Sequence, residues 1–487
     1  MSNKLEKKYG LLTAICMVVG IVVGSGVFFK AQTILDKTEG DMPLGIIAWI
    51  IGGVIMIFCI LAFSVLAQKY ERVNGVVDYA EATVGSKYAY MVGWFMSTTY
   101  YPGMTSVLAW LSARYLLVFI CSVNPNFAMH IAESEGGCVY GPECLALACL
   151  FLVGSFALNA LSPKIAGKFQ VSATFIKLVP LVLMAVVGTI YGFTHNMAGS
   201  ADPILIENFK TASGNTSVLF VAVCATAFAY EGWIIATSIN AELKNAKRNL
   251  PIALVTGGIV IIAVYVFYYI GVAGGTNVQT LIEKGASIAF TNVFGNVIGN
   301  ILNLFVAVSC MGTLNGLMLG LSRGLYSVAV RGYGPSPKVF GEVSEHTNMP
   351  TNSSVFAVLV SAIWLVYFFG ANLAPKAWFG FFSFDSSELP IITIYAFYIP
   401  IFIRFMIKAK DVSPFKRFVL PVLAIIGSAF MVFAAVYSHG IVPYQAAKAE
   451  GTFSCPVLAY LIVFVVIMAF GLCFSKKRDI GSSKIKK

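Results

Sequence analysis

The sequence predicts an all-α membrane protein of about twelve transmembrane helices, with both termini cytoplasmic. Three observations carry this. Of 487 residues, 58% are hydrophobic and only 11% are charged, whereas a soluble globular chain carries roughly 25% charged residues. The apolar residues gather into runs long enough to cross about 30 Å of hydrocarbon. The basic residues fall between alternate runs, as the positive-inside rule requires.

In order, the runs cover roughly 10–35, 44–67, 88–121, 144–161, 168–193, 216–240, 251–273, 289–330, 353–370, 378–405, 417–438 and 454–474. The first follows the charged stretch MSNKLEKKYG. It is too long for a signal h-region and lacks a cleavage site, so it reads as a span. The third, fifth, eighth and tenth runs exceed one crossing and are expected to tilt or to extend beyond the bilayer. With the N-terminus inside, the inside segments collect Lys4, Lys7 and Lys8, then Lys69, Arg72 and Lys87, and so on to the basic C-terminal tail. The outside loops hold only Lys37, Lys210, Lys284, Lys376 and Lys448. Lys30, Arg114 and Lys177 fall within spans. The longest loops, around 122–143 and 194–215, leave no soluble domain, so 1–487 reads as one transmembrane domain in a lipid bilayer. The net charge of +11 is the positive-inside bias, and no nucleic-acid partner is expected.

The ten cysteines show no metal spacing. Cys16, Cys59, Cys149, Cys224, Cys310 and Cys473 lie within apolar runs as small packing residues. Cys121, Cys138 and Cys144 lie in or beside one loop, where a disulfide or free thiols both stay open. The histidines, His130, His195, His346 and His439, fall in loops or at span ends. No HExxH, Ser–His or intramembrane aspartate pair is present, and no filter motif, which argues against an intramembrane enzyme and against a channel. No metal or cofactor is expected.

Two spans are interrupted. The first contains GIVVGSGVFF, with Gly24-Ser25-Gly26 at mid-depth, although glycine costs about 1 kcal/mol in a helix interior. The sixth contains Phe228-Ala229-Tyr230-Glu231-Gly232-Trp233. The breaks lie five spans apart, and an odd repeat must run in the opposite sense across the membrane. This pattern predicts a five-plus-five inverted repeat, 10–193 and 216–405, with discontinuous helices one and six. Residues 417–474 then form helices eleven and twelve. An unwound turn frees backbone groups. N–H groups starting an outer half-helix suit a carboxylate, and carbonyls ending an inner half suit an ammonium, so a zwitterion fits between them. A small-residue packing face would explain the first GSG alone, but not a matching break in the sixth span.

Four motifs, VVGSGVFF, FAYEGW, AELKNAKRNLP and SCMGTLNG, occur in this order at these spans. Together they resemble the amino acid–polyamine–organocation superfamily, and most nearly its L-type amino acid transporters and their bacterial serine/threonine and alanine/serine/cysteine exchangers. The resemblance runs from the first span to SPFKRFVLPVLAII. It implies alternating access and transport of L-amino acids across the plasma membrane, as exchange of small neutral ones. Proton-coupled or uniport carriage of cationic or other amino acids, and a transport-dead sensor of the same fold, stay open. By the same resemblance Val22, Gly24, Ser25 and Gly26 would hold the substrate backbone on helix one, and Phe228 and Ala229 on helix six, with Phe228 also shielding the substrate from outside. Glu231 would face the substrate side chain, where relatives carry Gly, Asn or Asp.

Lys177 lies in SATFIKLVPLV, within helix five, and a buried lysine there marks a functional position. The resemblance puts its ammonium in place of a sodium ion, bonded to inner helix one and to Ser309 of helix eight, which implies sodium-independent transport. Asp385 and Glu388, three residues apart, would share one face at the outer part of helix ten. An exposed pair and a role in the outer vestibule or proton handling both stay open. Arg114 is either partnered in the interior or near the outer surface. Animal relatives pair with a single-span glycoprotein through an outer cysteine in the loop that holds Cys138. The loose match around GGCVYGPEC favours a carrier with no obligatory partner subunit.

Overall fold

A computed structural model describes residues 10–24, 26–70, 75–124, 126–127, 141–211, 214–236, 243–347, 349–374 and 376–478. The described chain is helical, with one isolated bridge between Asn196 and Pro203. The helices are α1 (Leu11–Val22), α2 (Gly26–Lys37), α3 (Met42–Lys69) and α4 (Val76–Thr83). Then follow α5 (Ser86–Val123), α6 (Pro142–Leu161), α7 (Ile165–Thr194) and α8 (Ile204–Lys210). The middle of the chain forms α9 (Val218–Tyr230), α10 (Trp233–Ala236), α11 (Ala246–Ala273), α12 (Val278–Lys284) and α13 (Ala286–Ser322). The last are α14 (Gly324–Ala329), α15 (Pro337–Phe340), α16 (Thr351–Asn372), α17 (Leu389–Lys408), α18 (Leu420–Val436), α19 (Val442–Ala449) and α20 (Pro456–Leu472). Nine described helical stretches are long and apolar enough to cross a bilayer, which makes this a multi-pass membrane protein.

Elements begin and end where backbone chemistry requires. The Asp41 side chain accepts the Leu44 N–H at 2.9 Å, and Asn277 accepts that of Thr280 at 2.7 Å, each satisfying a donor orphaned by a helix start. The eighth run does not form one tilted helix. Gly295, at φ 76° and ψ 168°, reverses the chain inside α13 and splits off its first turns. Only glycine adopts that backbone at little cost. The tenth run is also shorter than expected, because α17 starts at Leu389. Its aromatic head, FGFF, is a 3-10 turn, and the Asp385 carboxylate takes the backbone N–H groups of Ser387 and Glu388 at 2.6 and 3.1 Å. Asp385 and Glu388 therefore precede the helix rather than sharing a face of it.

The core is built by α3, α5, α11 and α13, with α1 against α11, α9 against α3, and α2 against α9. Polar side chains link its helices. Asn159 on α6 donates to the Asn315 side chain on α13 at 2.8 Å, and Asn315 donates on to Gln170 of α7 at 3.2 Å. A π turn at Met96–Tyr100 inside α5 frees a carbonyl, and the Trp364 indole N–H takes the Thr98 oxygen at 2.8 Å. Cys144 is a buried thiol set 3.9 Å from the Trp110 carbonyl, while Cys138 lies outside the described residues. Arg114 is half-buried, 5.6 Å from the Trp110 ring.

Helices α7 and α11 cross backbone to backbone. A Cβ at Gly271 would stand 2.0 Å from the Met184 carbonyl oxygen, which cannot yield as a side chain could. Gly154 on α6 has nothing within 4 Å. Gly271→Ala is expected to cost about 1–3 kcal/mol, read as a clear fall in thermal unfolding temperature in detergent. Gly154→Ala should leave that temperature unchanged or slightly raised.

Candidate functional site

The site begins where α1 stops. Val23 is extended, at φ −64° and ψ 98°, and α2 resumes at Gly26. Ser25, one of the residues expected here, lies outside the described residues. On the other side α9 stops at Tyr230. Glu231 is extended, and Gly232 takes φ +104° before α10 begins at Trp233. A side chain at 232 would be strained in that conformation. Both interruptions therefore fall where the sequence placed them.

The two breaks pack on each other. A Cβ on Gly26 would come within 2.6 Å of the Ala229 Cα and 3.1 Å of the Phe228 oxygen, so only glycine admits this approach. Val22, Phe228, Ala229 and Glu231 are all buried, and so are Gly24 and Gly26. A Cβ on Gly24 would meet Thr313 of α13 at 2.9 Å. Phe228 and Ala229 remain within the last turn of α9, so their carbonyls belong to a helix end, where oxygens lose intrahelical donors.

Sequence reasoning missed the residue that joins these ends. The Tyr265 hydroxyl of α11 reaches the Val22 oxygen at 3.1 Å and the Ala229 oxygen at 3.0 Å. Those oxygens belong to the last turns of the two broken helices. A hydroxyl carries one proton, so both cannot be fully served at once. An ammonium group carries three. The signal was the cluster Tyr265, Tyr268 and Tyr269 in the apolar stretch of α11, since a buried tyrosine hydroxyl needs a partner.

Lys177 is 2% exposed, and its ammonium donates to the Gly20 oxygen in α1. Ser309, expected as its second partner, is buried with its hydroxyl unpaired. Glu231 bonds within the protein through one oxygen, which accepts from the Tyr100 hydroxyl in the π turn of α5. Its other oxygen, Oε2, is buried with no partner. A cavity of about 400 Å³ lies beside these elements, lined by Met96, Ser97, Tyr101, Ile234, Gly320 and Arg323 among others. None of the break residues lines it.

On the far side of the breaks sits a second polar group. Lys30 of α2, 1% exposed, bonds Glu388 Oε1 at 2.5 Å. Glu388 Oε2 faces His439 Nε2 at 3.0 Å and Cys224 Sγ at 3.6 Å. Glu388 is thus buried and paired, not an exposed acid. The ligand atoms of Cys224, Glu388 and His439 lie within 4.8 Å of one another. The Lys30 ammonium already neutralises that carboxylate, and a metal cation there would face an adjacent positive charge. These residues do not fit a resident metal.

The comparisons with known proteins agree with this architecture. The amino acid permease profile matches residues 9–470. The serine/threonine exchanger SteT of Bacillus subtilis (strain 168) is 27% identical over 440 residues, covering 88% of this chain and 91% of SteT. The human b(0,+)-type amino acid transporter 1 is 25% identical over 447 residues, 90% of this chain and 84% of that protein. The human cystine/glutamate transporter is 23% identical over 353 residues, 71% and 66% of the two chains. A match over nearly the whole chain, on a helical frame with paired breaks, means that the protein belongs to the amino acid permease family.

Proposed function

We propose that this protein exchanges L-amino acids across the plasma membrane by alternating access, holding the substrate backbone between the two helix breaks. The observation that carries this is the Tyr265 hydroxyl shared between carbonyls in the last turns of α1 and α9. A substrate ammonium there would supply the donors that one hydroxyl cannot. The carboxylate would sit at the N–H groups that open α2, aided by the positive helix end. The serine/threonine exchanger SteT among the relatives supports the exchange mode.

The frame is read as twelve spans, with α1 and α2 forming the first and α9 and α10 the sixth. Part of the packing supports an inverted repeat, although the fifth span packs on the seventh and eighth whereas the tenth packs mainly on α18. The first span packs on the seventh as the sixth packs on the second, while second–seventh and third–eighth map onto themselves. Positive-inside bias supports cytoplasmic termini. The cavity that includes Arg323 then opens toward the cytoplasm. We take the carrier to act without an obligatory partner subunit.

Lys177 supports sodium independence. At an effective dielectric of about 20, a unit charge about 4 Å away costs roughly 4 kcal/mol, which would disfavour sodium beside the ammonium. Its bond to Gly20 holds the half of helix one that would move as the inner side opens. Glu231 supports selection by side chain. Its unpaired oxygen favours polar substrates, serine and threonine among the small neutral ones, and leaves cationic ones as the second reading.

Four outcomes are expected. Amino acid amides should fail to compete with labelled serine in counterflow, because the helix N-terminus needs a carboxylate; equal competition would refute the site. Glu231→Gln should reorder the ranking of competing amino acids while retaining transport, and an unchanged ranking would count against selection by this residue. Lys177→Ala loses a charged hydrogen bond worth about 1.5–3 kcal/mol and should slow exchange about 10–100-fold, with inside affinity altered more than outside. Wild-type uptake should not change when choline replaces sodium, and uptake driven by a sodium gradient would overturn this assignment.

A further inference from the structure

We propose that the outer side of the protein is closed by a proton-sensitive latch, Lys30–Glu388–His439, and that opening it takes up one proton at the Glu388–His439 pair. The inference rests on the alternating-access reading above.

The latch ties three separate elements. Lys30 comes from α2, one turn beyond the first break. Glu388 comes from the turn that starts α17, and His439 from the π turn Tyr437–Ile441 that follows α18. Both carboxylate oxygens are occupied, Oε1 by the Lys30 ammonium and Oε2 by His439 and the Cys224 thiol of α9. The Lys30 ammonium also lies 5.6 Å from the centre of the Phe228 ring, so the latch rests on the break itself.

Charge bookkeeping gives the proton. The groups that face the cluster are Lys30 from α2, Cys224 from α9, Asp385 and Glu388 from the turn before α17, and His439. Asp385 is spent on capping Ser387 and Glu388, but its negative charge remains near. While the latch is shut, Lys30 balances one carboxylate. If α2 swings outward, that ammonium leaves, and the negative charges of Glu388 and Asp385 remain side by side. Two neighbouring carboxylates favour a proton on one of them. His439 Nε2 lies 3.0 Å from Glu388 Oε2, so a proton taken up there can be shared along that contact. No bond other than N–H or O–H forms or breaks. The proton bound on opening is returned on closing, when Lys30 displaces it.

The test is a distance measurement that needs no transport. Spin labels on ketone-bearing residues at Lys37, which ends α2, and Lys448 of α19 leave the native cysteines in place. In nanodiscs at about pH 8 a single short distance is expected. Toward about pH 5 a longer population should grow, by up to about tenfold in ratio per pH unit for one proton. Glu388→Gln should show the longer population at every pH, and Lys30→Arg should keep the wild-type response. If Glu388→Gln fails to fold, His439→Gln, which keeps a donor but cannot titrate, should flatten the response. A wild-type ratio that ignores pH, or a response unchanged in both glutamine variants, overturns the latch. A pH-dependent distance without counterflow would preserve the latch and refute the transport reading.

Discussion

Inside a bilayer every backbone N–H and C=O must find a partner within the protein, and this chain breaks two helices at depth. The rest of the structure follows from closing those breaks without water. Gly26 lets the opening of α2 press against the end of α9. Tyr265 reaches across from α11 to carbonyls in the last turns of both broken helices. Each device stops short of full satisfaction, since one hydroxyl proton serves two oxygens. That deficit is what makes the place a binding site in the proposed mechanism. A fully satisfied pair of helix ends would have nothing to offer an ammonium.

Buried charge is handled in three different ways. Lys30 and Glu388 neutralise each other, and losing either partner of such a pair costs about 3–5 kcal/mol. Among the described residues no acid pairs with Lys177, which relies on the Gly20 carbonyl. Glu231 uses a tyrosine for one oxygen and leaves the other bare. The paired group suits a latch between helices. The two incompletely partnered groups are candidates for interactions that change during a cycle, because their best partners are missing from this conformation.

Much of this was legible in the sequence, and the failures are instructive. GSG and EG announced the breaks because glycine inside an apolar run has few other uses, and Lys177 announced itself by its cost. The pairing of Lys30 with Glu388 was not legible, since the two lie 358 positions apart and periodicity reports only local faces. The start of α17 was misjudged because FGFF is apolar yet folds as an aromatic turn, ended by Asp385 capping. The eighth run read as one helix because a single glycine at 295 looks tolerable until its backbone angles are known. Tyr265 was visible as a mid-span tyrosine, but its two acceptors lie on other helices. Local chemistry was readable, and contacts across the bundle were not.

The central claim is that substrate lies between the breaks. A structure determined with a bound amino acid tests it most directly. The account predicts ligand density between residues 23–26 and 229–232, with the ammonium at the Val22 and Ala229 oxygens and the carboxylate at the start of α2. Density confined to the cavity by Ser97 and Arg323, with the Tyr265 bonds undisturbed, would contradict it.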